Sequence, residues 1–123
     1  SPYYRGASAP PVPAAAATAK ALELILADPG LRRRLWENVR VLKTGLRRLG
    51  LANDETPVPI VSLALGEAAN MQRIQRELMA RGIVIAHMHY AGLGPEGALR
   101  LAVFATHTEA MIGRLLEELG AVL

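Results

Sequence analysis

An α+β fold is the architecture this sequence predicts, with three short strands and helices packed on one face of the sheet. Three observations carry that reading. Long stretches place apolar residues at steps of three and four. Three short stretches between them read as strands, one alternating strictly and bounded by turn residues. Glycine or proline marks most junctions.

The elements follow in order. Residues 1–9 are small, aromatic or glycine-containing and aperiodic, so they read as an extended leading segment. Pro10, Pro11 and Pro13 precede an alanine-rich run to Ala27, and proline suits a first helical turn, so a linking helix starts near Pro11 or Val12. Its later part (Leu22, Leu24, Ile25, Leu26) is apolar enough for a helix packed on more than one side. Asp28-Pro29 has the form of an N-cap followed by proline at the first helical position. From there Leu31, Leu35, Val39, Leu42, Leu46 and Leu49 form one stripe, and Gly50 closes the helix. Residues 52–57 are a turn and Val58–Leu65 a strand, ended by Gly66. Ala68, Met71, Ile74 and Leu78 mark the next helix, stopped at Gly82. Ile83–Ala86 is a short strand and Tyr90–Gly97 a glycine-rich loop. Leu99–Phe104 is the clearest strand, six alternating residues with Leu99, Leu101 and Val103 on one face and Arg100, Ala102 and Phe104 on the other. Thr106-x-x-Glu109 has the form of a capping box, and Met111, Ile112, Leu115 and Leu119 face inward on the last helix.

Helices cover only one face of so small a sheet, so the other face is left for a partner domain and the chain reads as a piece of something larger. The boundaries expected are a leading segment and linking helix over residues 1–28 and a small domain over 29–123.

Composition excludes several functions. The chain of 123 residues is 51% apolar, enough for a core, with 14 basic against 11 acidic residues. Most basic residues fall in one helical stretch and aromatics make up only 4%, which argues against nucleic acid as a partner. The absence of cysteine rules out disulfides, thiolate nucleophiles and cysteine-ligated metals. No apolar run is long enough to span a bilayer and nothing resembles a signal peptide, so a soluble, cytoplasmic protein is expected.

Few residues suggest chemistry. His87 and His89 sit two apart at a strand end, but HxH without a third ligand reads as polar residues at a strand–loop junction, and no metal site is expected. His107 reads as a first-turn helix residue. Arg32, Arg33, Arg34, Arg40, Lys43, Arg47 and Arg48 read as the solvated face opposite the leucine stripe, and Glu117 and Glu118 as surface residues. Arg100 differs, because it is the only charge between Ala98 and Ala105. A guanidinium in an apolar strand must find an anion or reach water. Its planar fork suits a carboxylate ligand, and the bland alternative is an ion pair with Glu96 or a side chain snorkelling to solvent.

The run Arg100-x-x-x-x-x-Thr106-His107-Thr108-Glu109-x-Met111-Ile112-x-Arg114-Leu115-Leu116 resembles the C-terminus of the α-oxoamine synthases. These are fold-type-I pyridoxal-phosphate (PLP) enzymes, a family that includes 8-amino-7-oxononanoate synthase and serine palmitoyltransferase. The likeness extends over Ser8-Ala9-Pro10-Pro11, Leu35-Trp36-Glu37-Asn38, Glu55-Thr56-Pro57-Val58-Pro59-Ile60 and Arg81-Gly82-Ile83-Val84, in the family's order. It implies a small C-terminal domain on a short, mainly antiparallel sheet, with the large PLP-binding domain absent. It also implies that Arg100 binds the amino-acid carboxylate, and that a hydroxyl near Pro10-Pro11 contacts the cofactor phosphate of the neighbouring subunit in a homodimer. That hydroxyl position falls here on Gly6 or Ala7, with Ser8 the nearest hydroxyl. The loop before Arg100 departs from the family's Arg-Pro-Pro pattern with Met88-His89-Tyr90-Ala91-Gly92. Lys20 and Lys43 match no cofactor lysine, so no catalytic residue is expected in this stretch, which alone would be inert. The activity implied is an acyl-CoA:amino acid C-acyltransferase, decarboxylating and aminoketone-forming. The alternatives are a class I/II aminotransferase and a non-catalytic α+β binding module.

Overall fold

The computed structural model describes residues 11–51, 56–90 and 92–123. Seven elements follow one another: α1 (Val12–Ala27), α2 (Pro29–Arg48), β1 (Ile60–Leu63), α3 (Ala68–Ala80), β2 (Ala86–Met88), β3 (Ala98–Ala102) and α4 (Glu109–Val122). The chain separates into two compact units, residues 1–32 and 33–123.

In the first unit, α1 begins behind Pro11 and carries Pro13 in its first turn, followed by alanines, the best helix formers. None of its side chains is buried, although its second half carries Leu22, Leu24, Ile25 and Leu26. The Asp28 carboxylate accepts from the Gly30 amide at 2.8 Å and caps the start of α2 as its sequence predicts.

The second unit holds the sheet. Strand order is β1-β3-β2, antiparallel throughout, so the sequence-predicted α+β fold is the one observed. Arg100 pairs with Ser62 on one side and Ala86 on the other. Alternation then sorts the side chains: Val61, Leu63, Leu99, Leu101 and Val103 are buried, whereas Ser62, Ala102 and Phe104 are exposed. Beneath the buried face, α2 contributes Val39, Leu42 and Leu46, α3 contributes Met71, Ile74 and Leu78, and α4 contributes Ile112, Leu119 and Val122. Within this unit, and among the described residues, helices cover one face of the sheet.

Several boundaries differ from the sequence reading, each for a local reason. The first strand is Ile60–Leu63 rather than Val58–Leu65. Pro59 has no amide hydrogen to give, and the Leu65 carbonyl accepts from Asn70 Nδ2 at 3.0 Å instead of from a strand. The second is Ala86–Met88 rather than Ile83–Ala86. There the Ile85 carbonyl is taken by Gln75 Nε2 at 2.8 Å while the Ile85 side chain packs in the core. No capping box forms at Thr106. Instead Thr108 is the N-cap, its hydroxyl accepting from the Met111 amide at 3.2 Å, and His107 lies in the preceding turn rather than in the helix. Met111 faces out, 58% exposed, and Val122 takes an inward place that the periodicity did not assign. Lys43 is also not on a solvated face, being 6% exposed with Nζ donating to the Thr56 carbonyl at 2.6 Å. The arginines 32, 33, 34, 40, 47 and 48 are exposed, as predicted.

Candidate functional site: the arginine on the open sheet face

Arg100 sits on the central strand, on the face opposite the one that α2, α3 and α4 cover. Its cross-strand neighbours, Ser62 and Ala86, are short, as is Ala102 two residues along the same face. Small side chains around a long one leave room for a ligand beside the guanidinium rather than filling it.

The guanidinium makes no ion pair or hydrogen bond to another described residue, and Nε is buried without a partner. Glu96, its expected ion-pair partner, is engaged elsewhere: Oε2 accepts from the Ala68 amide at 2.8 Å, at the start of α3. A buried donor without an acceptor costs roughly 1–3 kcal/mol. A carboxylate brought to this face removes that penalty and gains the two parallel bonds the planar fork offers.

Two further features border the site. A cleft of about 380 Å³ is lined by Arg100, by Ile83 and Val84 leading into β2, and by Met111, Arg114 and Leu115 of α4. At the far end of β3, the turn into α4 is tied by side chains. Asn38 Nδ2 donates to the carbonyls of Phe104 at 3.0 Å and His107 at 2.7 Å, and the Phe104 amide donates to His107 Nδ1 at 3.3 Å. The Phe104 and His107 rings meet edge to face at 5.4 Å.

The histidine pair of β2 has a structural place. His87 Nε2 lies 2.9 Å from the Glu96 carbonyl, and its ring meets that of His89 at 4.6 Å, T-shaped. Gly97 passes close by: a Cβ there would collide with the Met88 carbonyl oxygen, and its φ is +74°. Among the described residues no three metal-ligating groups cluster. Gly6, Ala7 and Ser8, the expected phosphate contacts, lie outside the described residues.

Sequence reasoning missed Asn38 as a site residue, though the Leu35-Trp36-Glu37-Asn38 run was its signal. The model of the family described as "Aminotransferase class I and II" matches residues 1–119. The chain belongs to that family. Among curated members, 8-amino-7-oxononanoate synthase of Nitrosococcus oceani is 34% identical over 122 residues, covering 98% of this chain and 32% of that protein. A putative 8-amino-7-oxononanoate synthase of Desulforudis audaxviator is 38% identical over 115 residues, covering 93% of this chain and 29% of that protein. The chain thus spans about a third of the length of these relatives. Among solved structures, serine palmitoyltransferase from S. paucimobilis with a bound PLP–myriocin aldimine superimposes with a TM-score of 0.67 at 29% identity, over 76% of this chain and 24% of that one. The 8-amino-7-oxononanoate synthase of Francisella tularensis shares the fold, with a TM-score of 0.70 at 22% identity, over 86% of this chain and 31% of that one. No helix among the described residues is long and apolar enough to cross a membrane.

The described residues do not fit PLP as its holders. Lys43 Nζ is committed to a backbone carbonyl in the interior, and Lys20 pairs with Glu23 on exposed α1, so neither is placed to bond the cofactor's aldehyde.

Proposed function

We propose that this chain is the C-terminal, carboxylate-recognising part of a PLP-dependent transferase, with residues 1–28 leading into a small domain over 29–123. The complete enzyme joins an amino acid to an acyl-CoA, releasing coenzyme A and carbon dioxide and forming an aminoketone. Arg100 clamps the carboxylate of the amino acid. The observation that carries this reading is the buried, unpartnered Nε of Arg100 on an uncovered sheet face. Family membership and the similarity to proteins named 8-amino-7-oxononanoate synthase support the reaction class.

The chemistry assigned to this chain is binding and orientation. A carboxylate held by two guanidinium bonds has one plane and one direction, so the rest of the amino acid is presented in a fixed pose. The cofactor lysine belongs to the remainder of the polypeptide. The phosphate contact through Gly6, Ala7 or Ser8 belongs to a homodimer in which one subunit completes the other's site. The test is borohydride reduction of the complete, PLP-supplied protein, followed by mass spectrometry. A phosphopyridoxyl-lysine outside residues 1–123 supports the reading, and a folded protein with no tagged lysine overturns it in favour of a non-catalytic module.

The family's own description favours a second reading, an aminotransferase using the same arginine without coenzyme A. Thiol release from an acyl-CoA in the presence of amino acid selects the acyltransferase. Amino transfer to a 2-oxo acid without thiol release selects the aminotransferase.

A further inference from the structure

The strand that carries Arg100 is held unequally along its length. On the β1 side, pairing runs from Leu99 to Ala102 and continues as the Val103 amide donates to the Pro59 carbonyl at 2.8 Å. On the β2 side the ladder ends at the Ala86–Arg100 pair. Beyond Arg100, therefore, the strand is paired with β1 alone, while Leu101 and Val103 pack in the core and the turn that follows sets its end.

That turn is fastened to α2 by one side chain. Asn38 gives both hydrogens of a single amide nitrogen to two carbonyls, those of Phe104 and His107. Its neighbour on the helix, Val39, is 6% exposed in the core, and Leu42 one turn on is 1% exposed, so Asn38 projects from an anchored mount. His107 adds a second fastening, because its Nδ1 accepts the Phe104 amide hydrogen and its ring abuts Phe104. Without Asn38 these two carbonyls lose their tie to α2, and the end of β3 is held by the β1 ladder and by the packing of Leu101 and Val103 in the core.

We propose that Asn38 is a positioning residue for carboxylate recognition: by tying the Phe104 and His107 carbonyls to α2 it fixes the end of β3, and with it the aim of the Arg100 guanidinium. The inference rests on the reading of Arg100 as the carboxylate clamp. Asn38 touches no substrate and acts through Arg100.

The test compares two families of ligand on the complete holoenzyme by calorimetric titration. Glycine, L-alanine and L-serine carry the carboxylate, whereas methylamine, ethylamine and ethanolamine are the same molecules without it. Asn38→Asp keeps the volume but turns the donor into an acceptor facing two carbonyls, which unfastens the turn. It is expected to weaken the best-bound amino acid about tenfold, since small misplacements of a clamp carry large costs, and to leave its amine counterpart unchanged. In an Arg100→Ala background the same substitution is expected to have no further effect on the amino acid. Equal weakening of acid and amine, or an additive loss in the double variant, overturns the inference, because a general structural role moves both. If Asn38→Asp does not fold, Asn38→Ser, which keeps one donor, is read in the same way. Arg100→Ala alone separates the two levels. If it fails to abolish the preference for acid over amine, the clamp reading falls. If it abolishes that preference while Asn38→Asp leaves it intact, only the positioning role falls.

Discussion

The two faces of this sheet are built from the same strands and obey opposite rules. The covered face is aliphatic and closed, with Leu99 at 0% and Leu101 at 3% exposure against α2, α3 and α4. The open face sets Arg100 among Ser62, Ala86 and Ala102, and carries Phe104 at 59% exposure. Among the described residues, the buried side-chain polar atom without a partner, Arg100 Nε, lies on the open face. One position along the strand thus moves a side chain from the covered face to the open one, and substitutions on the two faces should separate stability from binding.

The largest effect belongs to the covered face. Leu99→Ala removes a fully buried side chain from the middle of the core and is expected to cost about 2–5 kcal/mol in denaturant unfolding. Arg100→Ala, one residue away, should do the reverse. It is expected to weaken binding of a carboxylate substrate by about 2–4 kcal/mol and to leave the unfolding midpoint nearly unchanged, because no partner in the fold is lost. A large loss of stability in Arg100→Ala would erase the distinction between the faces.

Backbone geometry at the edge of the open face supplies the next effect. Gly97 holds φ at +74° and passes the Met88 carbonyl with no room for a methyl. Gly97→Ala is expected to cost about 1–3 kcal/mol, read as a lower melting temperature. Because Gly97 lies just before β3, the loss should come with weaker carboxylate binding, whereas Leu99→Ala in its surviving folded fraction should bind normally. A smaller cost attaches to the helix after the turn. Thr108→Ala removes the side-chain acceptor of the Met111 amide and is expected to cost about 1 kcal/mol. The parallel change Thr106→Ala should cost nothing measurable, which checks that the cap lies at Thr108.

Legibility in the sequence divided along similar lines. The covered face was readable because burial imposes periodicity: Leu99, Leu101 and Val103 alternate, and Val39, Leu42 and Leu46 recur at helical steps. Arg100 was readable as an isolated charge in an apolar strand. What escaped was every feature decided by a side chain bonding to distant backbone. Gln75 takes the Ile85 carbonyl and delays β2, and Asn70 takes the Leu65 carbonyl and shortens β1. Lys43 turns inward to the Thr56 carbonyl, and Asn38 reaches across 66 positions to the Phe104 carbonyl. Such bonds have no period, so no window of sequence announces them. The family resemblance located Asn38 within a motif without saying what the amide holds.

Phe104 marks the limit of the comparison. It shares a face with Arg100 and alternates with buried Val103, yet it is 59% exposed and meets the His107 ring edge to face. Phe104→Ser should therefore change the stability of the 123-residue chain by no more than about 0.5 kcal/mol, whereas Val103→Ser should unfold it. In the complete protein the expectation changes. A phenylalanine that another domain covers loses about 1.5–3 kcal/mol of burial when replaced, so the melting temperature of the complete Phe104→Ser variant should fall while that of the short chain stays put. Equal behaviour in both would mean that the open face stays open in the complete protein, and that a carboxylate would have to reach Arg100 across a surface exposed to water.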